Sequence, residues 1–421
     1  MASQRIAIVG GGAAGFFAAI AAARANPDAD VHVLERGTEF LSKVRISGGG
    51  RCNVTHACFD PRTLAAAYPR GERELLGPFH RFQPADTLDW FRAEGVELKT
   101  EADDRVFPVT DSSVTIVDCL LAASDRAGVR RTLGAGVGSV TRNPSGGFEL
   151  TLHDQRSLSC DTLMIATGGS RTRSGAKLAE ELGHTLEPAV PSLFTFHVEI
   201  PWLRELAGIT IANAEVLMTG TAFRESGPLL VTHWGLSGPA ALKLSAYAAR
   251  EISERGYRFE LRVAWLPGRE IEPLADELLA RREKDPNRLV ANGPISRLPS
   301  RLWKALVHLA GIPADARFGN LSRSSARTLA GVLTATVLPV AGKSLNKDEF
   351  VTCGGVRLKD VDFRTMESKL CPRLYFGGEV LDIDGITGGY NFQAAWTTGW
   401  IAGHAMAGVE PQRTTRTATE G

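Results

Sequence analysis

No apolar run in the 421-residue chain reaches the roughly 18 residues that a membrane-crossing helix needs. Net charge is also nearly absent: 48 Lys and Arg stand against 47 Asp and Glu, so nothing calls for a nucleic acid or an anionic membrane as obligate partner. Six cysteines, scattered except for Cys52 and Cys58, are too few and too dispersed for a disulfide framework. No ligand spacing for a metal appears, and no metal is expected. A Gly-x-Ser-x-Gly nucleophile elbow is missing, as is any internal repeat. The N-terminus enters "RIAIVGGG" without a charged-then-apolar leader, so the cytoplasm is the expected compartment. The length suggests two or three domains.

Glycine, by contrast, is plentiful. Its 44 residues cluster at 10–15, 47–50, 377–378 and 385–389, places where backbone can approach a ligand closely. In "RIAIVGGGAAGFFAAIAAARANPDADVHVLER" a buried strand over Ile6–Val9 leads through Gly10-x-Gly12-x-x-Gly15 into a helix ending at Ala25. A second strand over Val31–Leu34 then ends at Glu35. Gly10 allows the turn, Gly12 admits a pyrophosphate at the helix N-terminus beside Ala14, and Gly15 permits close packing. Glu35 lies 20 residues beyond Gly15, where a carboxylate can accept ribose hydroxyls, with Arg36 next to it. Strand, helix, strand and terminal acid agree on dinucleotide binding.

The later sequence favours FAD over NAD. "LSCDTLMIATGGS" (158–170) reads as a strand ending at Ala166, Thr167 and Gly168, and "RLYFGGEVLD" (373–382) as one ending at Gly378 and Glu379. Glu379 is placed to take a ribityl hydroxyl. A helix starting around Gly388, Gly389, Tyr390, Asn391 and Phe392 would point bare N–H groups and a positive dipole end at a flavin. "LGAGVGSVT" (133–141) has the wrong spacing for a second nucleotide fold and reads as a strand with Val137 near the adenine.

Cys52 and Cys58 invite comparison with a redox dithiol. Five residues separate them, and "NVT" is a poor helix run, so a helical dithiol pair is rejected. "KVRISGGGRCNVTH" is read instead as a backbone loop. Its Gly50, Cys52 and Asn53 lie against the flavin, and Lys43, Arg45 and Arg51 face a pyrophosphate or an anionic substrate. Cys52 is expected to be a small buried residue rather than a reactive thiol.

These stretches, with "THWGLSGPA" (232–240) and "VTCGGVRLKDVDFRTMESKLCPRLYFGGEVLDIDGITGGYNFQAAWTTGWIAG" (351–403), resemble the BaiN-like or aminoacetone-oxidase-like family of bacterial FAD-binding oxidoreductases. The resemblance covers most of the chain. It implies an α/β fold: a Rossmann-like FAD domain with an inserted β-barrel-like domain that itself carries a helical insert. The boundaries expected are 1–190 with 352–421, then 191–266 with 336–351, and 267–335 for the insert. Alternating β-rich runs at 193–219 and 257–266 and helical runs from 267 to 335 fit this plan. Ser237 is a candidate N-cap for the helix after "THWGLSG", and the polar tail 411–421 is expected to be disordered.

The reading is of an FAD-dependent oxidoreductase passing a hydride between a small organic substrate and flavin N5. Amine oxidation by O2 and NAD(P)H-driven reduction of a conjugated C=C bond both stay open. NAD(P)H is expected only as a transient donor, since it has no fold of its own. His233, Tyr390 and Arg45 are the substrate-site candidates, with His56 and His197 as weaker acid–base groups. A non-catalytic FAD-holding module binding RNA or protein is the rival reading. Residues 281–327 carry ten Lys/Arg against three Asp/Glu, which a solvated helix face explains better than RNA contact. Oligomeric state is not legible.

Overall fold

The computed structural model describes residues 3–169, 174–343 and 351–410; the tail 411–421 lies outside them. The chain forms two compact units, residues 1–190 with 351–421 and residues 191–350.

In the first unit, strand β1 (Arg5–Val9), helix α1 (Ala13–Ala25) and strand β2 (Asp30–Leu34) follow one another as the sequence predicts. Helix α2 (Ser42–Gly50) and strands β3 (Thr55–His56), β4 (Arg130–Thr132), β5 (Thr162–Ile165) and β6 (Leu374–Phe376) come later, and helix α3 (Tyr390–Met406) closes the unit. Five strands pair in parallel in the order β6-β5-β1-β2-β4. Strands β1, β5 and β6 are apolar almost without a break, as a sheet covered on both faces requires, while the edge strand β4, Arg-Arg-Thr, is polar. Val9 lies opposite both Leu34 and Ile165, which levels the strand ends. The chain leaves β1 toward β2 on one side and reaches β5 on the other, so a crevice opens beyond their carboxyl ends.

α1 and α3 are apolar nearly all round, the mark of helices inside a core rather than on its surface. Glycine sets how near they come. A Cβ on Gly399 would stand 2.5 Å from the Ala14 carbonyl oxygen, and one on Gly403 2.4 Å from that of Ala18. Phe16, Phe17, Phe91 and Trp396 fill the space beside this contact.

In the second unit, seven antiparallel strands run in the order 336–340, 259–264, 210–218, 224–232, 235–237, 196–197, 342–343. The two edge strands are consecutive in the chain and separated by Ala341 alone, so the sheet must curl until its edges meet. Helices Ile271–Lys284, Ser300–Leu309 and Arg323–Ala335 share one apolar cluster with this sheet, with Trp265, Trp303 and Phe318 fully buried in it. Ser237 does not cap the following helix. It stays on the ladder opposite Leu230 and bonds Thr195, while Gly238, at φ +89°, turns the chain into Pro239.

Candidate functional site

At the carboxyl ends of β1, β2 and β5 a cavity is lined by Val9, Gly10, Leu34, Glu35, Arg36, Ala135, Gly136, Val137, Thr167, Gly175 and Leu178. Gly10 is forced here: at φ +116°, a side chain would collide with the Ala166 carbonyl at 2.3 Å. Gly15 packs the helix onto that turn, its notional Cβ 2.0 Å from the Gly10 oxygen. The Glu35 carboxylate accepts the Gly11 N–H at 2.8 Å and the Gly37 N–H at 2.6 Å. Glu35 therefore shapes the turn as well as facing the cavity. Sequence reading missed Ala135, Gly136, Gly175 and Leu178. Gly175 has a tertiary reason, because a Cβ would meet Thr167 Oγ1 at 1.8 Å, and no local motif could reveal it.

Further along the crevice, Lys43 Nζ bonds Glu379 Oε2 at 2.5 Å, and Glu379 Oε1 accepts the Thr352 N–H at 2.8 Å. Gly168 sits beside both, a Cβ there lying 3.9 Å from each charged atom. Gly378, at φ +71°, packs against Ala14 at the start of α1. Three residues expected from distant parts of the sequence thus meet in one place.

The glycine loop is part helix. α2 runs regularly to Ile46 and then breaks: Ser47 is extended, and Gly48 and Gly49 take φ of 57° and 68°. Gly50 (φ 84°) and Cys52 (φ 61°) are also left-handed, so the chain reverses tightly. Around Gly12, Gly49 and Gly50 nothing lies within 4 Å of where a side chain would begin. Cys52 is fully buried, and burial pushes its thiol up to about 12 against a weaker opposing bond from Ser47. Cys58 is half-buried and its thiol is also raised by burial. Neither cysteine is in a disulfide.

Several candidates are engaged elsewhere. Arg51 bonds Glu101 at 2.7 Å, lies 3.4 Å from Asp111 and rests 4.0 Å over the Phe107 ring, tying the loop to its neighbours. Arg45 lies 3.4 Å from Glu39. The Asn391 amide both accepts from Gly385 N–H and donates to Gly385 O, clamping the approach to α3. Phe392 stacks on Trp396. Gly388, with φ +126°, leads into Gly389, which opens α3 at φ +95° with no side chain to cap it. Asn53 packs on Gly48. Tyr390 is 8% exposed and packs between His56 and Tyr68, so its ring supports the site more than it lines it. His233 belongs to the second unit, exposed in the two-residue turn before Gly235. His197, in that unit, lies 3.6 Å from Glu199.

The residues fit FAD. Two long helices begin at bare glycines, open space surrounds Gly12 and Gly49–Gly50, and a carboxylate faces a cavity at the end of β2. The second unit's sheet is antiparallel throughout, so among the described residues the parallel nucleotide-binding sheet occurs once. No cluster of three metal-ligating side chains and no helix long and apolar enough to cross a membrane occurs among them either.

Residues 4–405 match the family described as HI0933-like protein Rossmann domain. The 3-dehydro-bile acid delta(4,6)-reductase of Clostridium scindens is 31% identical over 412 residues, spanning 96% of this chain and 99% of the relative. The ribosomal RNA dihydrouridine synthase of Escherichia coli is 33% identical over 402 residues, spanning 93% and 95%. Among solved structures, the 3-ketosteroid delta1-dehydrogenase of Sterolibacterium denitrificans shares the fold at a TM-score of 0.52 and 12% identity, over 96% of this chain and all of that one. The chain belongs to the HI0933-like Rossmann family, the BaiN-like FAD-dependent oxidoreductases, and is an enzyme of that class.

Proposed function

We propose that this protein is a reductase that saturates a C=C bond conjugated to a carbonyl in a planar ring. The observation that carries the reading is a shared bond change. Two full-length relatives bear names for unlike substrates, a bile acid and a ribosomal RNA, yet each name describes adding two hydrogens across such a bond. FAD, when bound, supplies the two-electron chemistry of that addition.

The chain's own residues would hold and orient the cofactor. Glu35 would hold the ribose of the adenosine, the N-terminus of α1 at Gly12 would take the pyrophosphate, and Lys43 with Glu379 would hold the ribityl chain. The loop Gly48–Asn53 and the N-terminus of α3 would frame the flavin. With one parallel nucleotide sheet among the described residues, NAD(P)H acts as a transient visitor and not as a second resident.

The test is anaerobic incubation of FAD-loaded protein and NADPH with a 3-oxo-4,6-diene bile acid in one arm and unmodified ribosomal RNA in the other. Product carrying two added hydrogens in either arm supports the reading, and the productive arm identifies the ring. Peroxide formation with small amines, and no saturated product in either arm, would replace it with amine oxidation.

A further inference from the structure

We infer that His56 is the acid that delivers the proton to the substrate, an assignment that rests on the reductase reading above. β3 carries His56 directly against the start of α3. A Cβ on Gly389 would stand 2.5 Å from the Thr55 carbonyl carbon, so strand and helix start are in backbone contact. His56 follows the Gly48–Asn53 loop by three residues and therefore stands between the two segments that frame the flavin.

The imidazole is held on two sides. Its ring stacks on Tyr390, with centroids 4.6 Å apart and planes 26° from parallel. Its Nδ1 lies 3.1 Å from the Gly388 carbonyl oxygen. A carbonyl can only accept, so Nδ1 carries a hydrogen and donates it. That fixes the neutral tautomer and leaves Nε2 as the atom that gains and loses a proton. No described residue bonds Nε2, and the ring is only part-buried. Tyr390 is itself braced: Tyr68 donates its hydroxyl to the Tyr390 carbonyl at 2.6 Å and meets its ring edge-on. The neighbouring acids are less suited. Burial raises the Cys58 thiol and holds the Tyr68 phenol well above its ordinary range.

The step balances. The ring carbon β to the carbonyl accepts a hydride, two electrons and a proton, from the reduced flavin cofactor. The π pair moves to the α-carbon, which takes the proton from protonated Nε2. The product gains two hydrogens, and the neutral imidazole regains its proton from water.

Two variants and one spectrum test this. His56→Asn keeps a donor for Gly388 but cannot supply a proton, and His56→Gln guards against a local folding fault in the first. Each is loaded with FAD, reduced with dithionite and mixed anaerobically with whichever ring substrate the wild-type enzyme reduces. A fall of about 10²–10⁴-fold in the rate of substrate reduction, with FAD content retained, is the expected result. Long-range ¹⁵N spectra of the FAD-free protein should show protonated Nδ1 and bare Nε2 in the neutral ring. Wild-type rates in both variants, or the opposite tautomer, would overturn the assignment while leaving the reductase reading intact. Wild-type inactivity toward both rings would sink the reductase reading itself.

Discussion

Replacing Glu35 by Ala removes a carboxylate with two separable tasks. In the folded chain it accepts N–H groups from Gly11 and Gly37, at 2.8 and 2.6 Å. Hydrogen bonds to a charged group contribute about 1.5–3 kcal/mol each, and water recovers part of that at a half-buried site. The apoprotein should therefore lose about 1–3 kcal/mol of stability through the turn alone. Loss of the ribose contact comes on top of this. At about 1.4 kcal/mol per decade, FAD affinity should fall roughly ten- to a hundred-fold. Glu35→Gln separates the two tasks further, because its amide keeps one acceptor and turns an N–H toward the other backbone donor. Urea unfolding of the apoprotein reads the first task, and FAD titration followed by flavin fluorescence reads the second. Unchanged FAD affinity in a Glu35→Ala apoprotein of wild-type stability would refute both arguments.

Gly399→Val should cost about 1–3 kcal/mol by overpacking α3 on the Ala14 carbonyl, and should weaken FAD binding because that turn of α1 carries the cradle; equal melting temperatures would contradict the packing argument. Thiol titration before and after flavin reduction should give the same count, with Cys52 resisting alkylation until the protein unfolds, since burial keeps it protonated to about pH 12. Two new thiols on reduction would reinstate a dithiol mechanism. Burial lowers the imidazoles of His32, His184 and His404 below their ordinary value of 6.5. Below that value the unfolded chain binds more protons than the folded one. The stability they support is complete above pH 6.5 and is lost as pH falls through their lowered folded values. His184→Gln should flatten this slope in urea unfolding followed across that range, and an unchanged slope would remove His184 from the account.

The nucleotide half of the site was legible because its signals are local. Strand, glycine turn, helix and acid lie within 36 residues, and Gly15 answers to Gly10 inside the same motif, although the collision that forces Gly10 comes from Ala166 far along the chain. The C-terminal helix was legible for the same reason, through Gly388 and Gly389. What escaped depends on tertiary contact. Gly175 must be small because of Thr167, and Arg51 is held by Glu101 and Asp111, pairings that no spacing announces. Ser237 misled because a cap and a ladder position look alike in sequence. The first turn of α2 escaped because the glycines that break it dominate its composition.

Central to this account is the saturation of a carbonyl-conjugated C=C bond, and a single turnover tests it most directly. FAD-loaded protein, reduced with dithionite and freed of excess reductant, is mixed without O2 with the 3-oxo-4,6-diene bile acid or with unmodified ribosomal RNA. Flavin absorbance should return in one arm, with one equivalent of product carrying two added hydrogens for each flavin reoxidised. Flavin that stays reduced in both arms until O2 is admitted would contradict the account.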